Sequence, residues 1–168
     1  MGADLHVRIL KYNPKTRFYD ELKLFRLDEE DKNVYNTVYI DAGRDSEMFD
    51  GMTDGEAGDN DYDVFPLFSI RIESYEENFK NEIETYQSTF GYYNFYEINL
   101  SDYKSYLLEH PTVIDYGKNC DVEVEKMPRK ENPLGALFKK IVQYAAFADE
   151  DSWITPLSEY KVIFFFDH

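Results

Sequence analysis

The sequence predicts an α+β fold: a mostly antiparallel sheet with two or three packed helices, in a single domain spanning residues 1–168. Three observations carry this. Strand-type patterns recur from the first residues to the last. A 3.6-residue apolar stripe is confined to a few segments. Strands and helices do not alternate strictly, as they would in an α/β chain. A length of 168 residues suits one domain with a real core.

Ala3, Leu5, Val7 and Ile9 alternate with Asp4, His6 and Arg8, the period of a half-buried strand. Asn13-Pro14-Lys15 is a turn, and a second strand through Phe18–Leu27 closes a hairpin. Val34–Ile40 reads as a third strand leading into an acidic segment. A short helix is expected around Ser46–Met52, followed by an open loop to Tyr62, and Val64–Ile72 reads as a strand. Tyr75, Phe79, Ile83 and Tyr86 recur at helical spacing, which predicts a helix over Ser74–Gln87 with Ser74 as N-cap.

Tyr92–Leu100 is expected to be a strand. Ser101 is expected to cap a helix that runs to about Glu109 and is stopped by Pro111. Asp121–Lys126 alternates charge with valine and reads as a short strand. Asn132-Pro133 is a cap followed by proline at the first helical position. Leu134, Leu137, Phe138, Ile141, Val142 and Ala145 then form one apolar stripe, the strongest helix signal in the chain. Tyr160–Phe166 is apolar on both faces, as a central strand is.

The composition is unusual in two ways. There are 15 Tyr and 13 Phe beside one Trp, and 34 acids oppose 18 bases for a net charge of −16. High charge with many aromatics indicates a folded chain with an acidic surface rather than disorder. Such a surface disfavours direct binding to nucleic acid or anionic lipid and favours basic partners. Nine acids stand between residues 41 and 63: Asp41, Asp45, Glu47, Asp50, Asp54, Glu56, Asp59, Asp61 and Asp63. Only Arg44 opposes them, so 23 residues hold a net −8, half of the chain's total.

Chemistry-bearing motifs are sparse. Asp59-x-Asp61-x-Asp63 begins like a calcium-binding EF-hand loop, but the sixth and twelfth positions, where Gly and Glu are required, hold Val64 and Ile70. His6, His110 and His168 show no metal-binding spacing. Asp4 and His6 share a strand face, a pair that could orient an imidazole for acid–base work. There is no nucleophile elbow, no phosphate-binding loop and no dinucleotide fingerprint. Cys120 stands alone beside Asp121, which raises a thiol pKa and blunts it as a nucleophile. The basic residues Lys126, Arg129, Lys130, Lys139 and Lys140 are too few to indicate a nucleic-acid surface. The opening MGADLHVRIL lacks a signal pattern and a myristoylation pattern, and no apolar run spans a bilayer. A reducing, cytoplasmic setting is therefore expected.

The opening MGADLH, the central GRDSEMF and the late DSWITPLSEY…KVIFFFDH together resemble a family of small phage and prophage proteins. Its members begin Met-Gly-Cys-Asp-Ile-His and carry Gly-Arg-Asn/Asp and Ser-Trp-Leu-Thr blocks. The matching positions are Gly2, Asp4 and His6; Gly43, Arg44, Asp45 and Phe49; and Ser152, Trp153 and Thr155. Ala3 replaces the family's Cys, and Asp149-Glu150-Asp151 replaces a His before the Ser-Trp block. The resemblance carries no activity over. It does imply a phage setting, with Asp4, His6 and Arg44 expected to lie close together.

These readings favour a binding protein over an enzyme. B-DNA shows about one negative charge per 1.7 Å of axis, and a folded acidic segment of similar density can enter a groove built for DNA. The expected function is inhibition of a basic, nucleic-acid-binding host defence complex of CRISPR or restriction type, in the host cytoplasm. The nine acids named above would be the partner-facing set, with Tyr35, Tyr39 and Tyr62 as aromatic contacts. No catalytic residue, metal ligand or cofactor is assigned. Two alternatives stand beside it: a divalent-metal protein or enzyme using Asp4, His6 and acids of the loop, and a phage structural or assembly component. The partner's identity and the oligomeric state are not encoded in any motif.

Overall fold

The computed structural model of the protein describes residues 4–27, 34–37, 40–44, 48, 51–52, 61–90, 95–115, 123 and 126–167. The fold is α+β. Its main element is a six-stranded sheet in the order β2-β1-β10-β7-β6, with β5 also paired to β1. These strands are β1 (Asp4–Asn13), β2 (Phe18–Glu21), β5 (Ile40–Arg44), β6 (Phe68–Ser69), β7 (Phe95–Asn99) and β10 (Tyr160–Asp167), and every pairing among them is antiparallel. Two small hairpin sheets join β3 (Leu24–Leu27) to β4 (Val34–Thr37) and β8 (Thr112–Ile114) to β9 (Arg129–Glu131).

The two central strands explain the layering. β10 pairs along its length with β1, from Asp4–Asp167 to Lys11–Tyr160, and on its other side with β7. Side chains alternate across a strand, and here both faces are covered. Leu5, Val7 and Ile9 of β1 join Val162 and Phe164 of β10 on one face. Leu10, Ile163 and Phe165 join Phe95 of β7 on the other. This is why Tyr160–Phe166 carries no polar alternation.

The first face is packed by α2 (Leu100–Glu109) and α3 (Pro133–Ala148), through Leu100, Tyr103, Tyr106, Leu134, Leu137 and Ile141. The second is packed by α1 (Glu77–Phe90), through Phe79 and Ile83. Asn132 starts α3: its Oδ1 accepts the N–H of Leu134 at 3.0 Å, while its Nδ2 donates to His110 O and the Tyr106 hydroxyl. One buried amide thus joins the end of α2 to the start of α3, and Pro133 stands at the first turn.

Several boundaries differ from the sequence reading. α2 is capped by Asn99, not Ser101, because the strand runs on to Asn99 and the buried Leu100 must already be helical. Asn99 Oδ1 then accepts the N–H of Ser101 at 2.9 Å. Ser74 ends a short 3₁₀ turn, Ile72–Ser74, rather than capping α1. Tyr75 stays extended to reach the core, and the helix begins at Glu77. The expected strand at 64–72 shrinks to Phe68–Ser69. Phe65 instead turns inward, edge-on to Tyr103, Tyr106 and Phe164, and Pro66 has no N–H to offer a ladder.

The 18–27 run breaks after Glu21, where the Leu22 N–H returns to Ile9 O at 2.9 Å and β3 leaves for its own hairpin. The third expected strand is likewise split, into β4 and β5. Helical backbone is present at Met48, Gly51 and Met52, within the expected short helix. The strand expected at 121–126 falls largely outside the described residues, and β9 starts at Arg129.

The packing of α3 gives a direct test. Ile141 is fully buried and Phe138 only partly so. Ile141→Ala should lower stability by about 2–5 kcal/mol, with Phe138→Ala nearer the lower end. Urea unfolding of both variants checks this, and a parental midpoint for Ile141→Ala would show that α3 does not pack as described.

Candidate functional site

The acidic stretch is tethered at several points. Asp41 lies in β5, which pairs with β1 so that Asp41 is opposite His6 and Arg44 is opposite Asp4. Met48 and Met52 are buried in the main core cluster. At the far end Tyr62 is 1 % exposed and Phe65 is buried. Tyr62 is therefore a core residue rather than the partner contact expected from the sequence. Asp45, Glu47, Asp50, Asp54, Glu56 and Asp59 lie outside the described residues, as does Tyr39.

Asp61 differs from a free surface acid. Its carboxylate accepts from Arg129 Nη2 at 2.8 Å and from the Ile114 N–H at 3.3 Å, and stands 3.9 Å from His110 Nδ1. Its carbonyl accepts the Tyr106 hydroxyl at 3.0 Å. These bonds fasten the end of the stretch to α2 and to the β8–β9 hairpin. Burial pushes the Tyr106 hydroxyl pKa up; Asn132 opposes this, the charges of Asp61 and Asp63 reinforce it, and it reaches about 12. Asp63 is half-buried.

His6 is half-buried and stacks on Phe165, with ring centroids 4.8 Å apart. The β1–β5 register brings the backbones of Asp4 and Arg44 together, with an irregularity between Asp4 and His6. Among the described residues no group of three or more His, Cys, Asp or Glu could hold a metal ion.

Among the described residues the most extensive charge pairing is on the α1 side of the sheet, where no local sequence pattern marks it. Arg8 is 7 % exposed. It donates through Nε and Nη2 to both Glu21 oxygens, at 2.6 and 2.8 Å, and through Nη1 and Nη2 to both Glu82 oxygens, at 2.9 and 3.1 Å. Its guanidinium also lies 4.7 Å from the centre of the Phe79 ring. Burial disfavours the charge, but the two glutamates outweigh it and hold the Arg8 pKa above its ordinary value.

Beside it, Glu97 accepts a short hydrogen bond from the Tyr75 hydroxyl and a 3.2 Å bond from the Arg71 N–H, and pairs with Lys161 Nζ at 3.3 Å. Lys161 lies over the Tyr19 ring. These contacts tie β1, β2, β7, β10 and α1 together. Most of their donors and acceptors are taken up by one another, which suits anchoring, while Glu21, Phe79 and Glu82 also line a shallow cleft of about 220 Å³ with Asp20, Lys23 and Glu76.

A third cluster centres on Asp149, just past α3. Its carboxylate accepts from Lys11 Nζ at 3.0 Å, Thr155 Oγ1 at 3.2 Å, the Asp151 N–H at 3.0 Å and the Tyr160 hydroxyl. Burial alone would raise the Asp149 pKa. The bonds from Tyr160, Lys11 and Asp151 reverse this and hold it below the ordinary 3.8. In the acidic run Asp149-Glu150-Asp151 only the first is buried; its ion-pair partner Lys11 lies 138 residues away, so the run alone could not single it out. Of the Ser-Trp block, Thr155 joins this cluster, Ser152 Oγ reaches Ala146 O at 3.4 Å, and Trp153 is exposed.

No protein-family model matches the chain, and comparison with curated proteins and with solved structures gives no match. Among the described residues no helix is long and apolar enough to cross a membrane.

Two measurements test the anchoring clusters. Arg8→Ala strands the buried Glu21 and should lower stability by about 3–5 kcal/mol. Glu82→Ala removes a carboxylate that is 55 % exposed and should change it by about 1 kcal/mol or less. Equal losses would show that Arg8 is not held mainly by Glu21. For Asp149 the folded pKa is below the unfolded one, so its contribution is full above the ordinary 3.8 and fades as pH falls through the folded value. The gap in urea midpoint between parent and Asp149→Asn should be widest near neutrality and should close in acid.

Proposed function

We propose that this protein inhibits a basic, nucleic-acid-binding complex of a host cell, of CRISPR-effector or restriction-enzyme type, by presenting residues 41–63 to the groove that holds DNA. The observation that carries the reading is charge density: net −8 within 23 residues of a chain at −16. Several anchored points support it. β5, the buried Met48 and Met52, and the buried Tyr62 and Phe65 join the stretch to the sheet and core on either side. A dense negative charge steers association with a basic partner. The phage-like blocks at both ends of the sequence supply the host-defence setting.

The acids offered to the partner are Asp45, Glu47, Asp50, Asp54, Glu56 and Asp59, with Asp41 and Asp63 at the margins. Asp61 serves mainly to fasten the stretch through Arg129. Mutual repulsion among the acids is screened in solution over about 8–10 Å, and a positive groove would relieve it.

Changing Asp54, Glu56 and Asp59 to Lys moves the net charge from −16 to −10. The variant should melt within a few degrees of the parent. It should fail to displace a labelled duplex from purified CRISPR effectors or restriction endonucleases that the parent inhibits, and the parent's inhibition should weaken as salt rises. Displacement at the parental concentration by the variant, or indifference of the parent to salt, would overturn the reading.

A further inference from the structure

A second segment, at the end of α3, has the make-up of a protein contact. Phe147, in the last turn of α3, is 81 % exposed; Trp153 and Ile154, in the turn that follows, are 82 % and 60 % exposed. Large apolar side chains gathered within eight residues at such exposure are unusual on a surface that is otherwise strongly charged. Beside Trp153 is a shallow groove of about 280 Å³, lined by Leu100, Val142, Ala146, Ser152 and Leu157.

The exposure is built in. Asp149 takes the N–H of Asp151, the Thr155 hydroxyl and Lys11 on its carboxylate, and the Asp151 carbonyl accepts the N–H groups of Ile154 and Thr155, both at 3.0 Å. The Ser152 N–H returns to Asp149 O at 3.1 Å. The turn is closed on both sides of Trp153, so the indole and the Ile154 side chain are held outward by a fixed backbone. Presenting aromatic area from a rigid support reduces the ordering cost of association, and Trp is the residue most enriched where binding energy concentrates.

The charges around the patch select its occupant. Glu150 and Asp151 are exposed beside it. α3 ends there with no basic residue in its last turn, so the negative end of the helix dipole adds to them. Lys11 is already paired with Asp149, and Lys139 and Lys140 stand about two turns back along the helix. A second copy of a chain at −16 would bring like charges together, and an anionic membrane would do the same. We propose that the Phe147–Trp153–Ile154 patch is a docking site for a protein segment that presents apolar side chains flanked by Lys or Arg. The proposal goes beyond the reading of residues 41–63 and does not depend on it.

Trp153 is the only tryptophan in the chain, so its fluorescence reports on this patch alone. The probes are an amphipathic Leu/Lys peptide, a Leu/Glu peptide of the same pattern, vesicles of phosphatidylcholine with and without phosphatidylserine, and the protein itself over a concentration series. The Leu/Lys peptide should give a saturable blue shift that weakens with salt. Phe147→Glu and Ile154→Glu should each raise its Kd roughly tenfold or more with unchanged circular dichroism. Glu150→Lys with Asp151→Lys should weaken binding and flatten its salt dependence. The Asp54, Glu56, Asp59 to Lys variant should bind the peptide like the parent. The proposal is overturned by no saturable shift with Leu/Lys, by an equal shift with Leu/Glu, or by a shift driven by vesicles or by the protein's own concentration. It also falls if the triple variant loses the peptide while the patch variants keep it, because the peptide is then reading the acidic stretch.

Discussion

The pairing of β1 with β10 constrains everything else in this molecule. The two strands meet over eight residue pairs, from Asp4–Asp167 to Lys11–Tyr160, and their middle residues are buried on both faces of the sheet. A sheet covered on both sides must find partners for any polar side chain in its centre. On the α2–α3 face β1 and β10 supply aliphatic and aromatic residues. On the α1 face, alternation forces Arg8, Lys161 and Glu97 inward beside Leu10, Ile163 and Phe165. Glu21 from β2, Glu82 from α1 and Tyr75 answer them. The position of α1 on the sheet rests on Phe79 and Ile83, and it brings Glu82 over Arg8 as a second, exposed carboxylate.

What the sequence disclosed follows the same division. Central strands and the α3 stripe were legible because burial marks them locally: Tyr160–Phe166 is a continuous apolar run and Leu137–Ile141–Val142 follows the helical period, both without help from distant residues. The Asn132-Pro133 start was legible because capping chemistry is local. The Asn99 cap was not, because Asn99 and Ser101 are both competent caps and burial of Leu100 decides between them. The 64–72 segment misled because Val, Phe and Ile suit a strand as well as an inward turn, and Phe65 took the turn. The charge clusters were illegible for a different reason. Arg8 and Glu82 are 74 residues apart, and Lys11 and Asp149 are 138 apart. No local pattern tells such a buried pair from solvated charge.

The acidic character is accordingly not uniform. Glu21, Glu97, Asp61 and Asp149 hold elements together through Arg8, Lys161, Arg129 and Lys11. These four cations are thereby engaged within the molecule's own ion pairs, three of them at least partly buried and Arg129 at the surface, which leaves the surplus of carboxylates to define the outer field. Internal pairing and outward negativity are two sides of one allocation. It gives the 41–63 region a firm base at Tyr62, Phe65 and Asp61, and it leaves the end of α3 both apolar and negative.

The tyrosines lend the core a chemical limit at the other end of the pH scale. Tyr103 is wholly buried, and burial holds its hydroxyl well above the ordinary value of 10. Burial and Glu97 hold Tyr75 above it too, while Tyr106 and Tyr160 are pushed up to about 12. Folded, these hydroxyls stay neutral where an unfolded chain would ionise them, so their contribution is intact below pH 10 and is lost as pH climbs through the raised values. Phenolate absorbance in base would then rise in two waves: a gradual one from exposed rings, and a sharp one when the core opens and its tyrosines ionise together. A core that sets phenols among its aliphatic side chains has alkali as its solvent of failure.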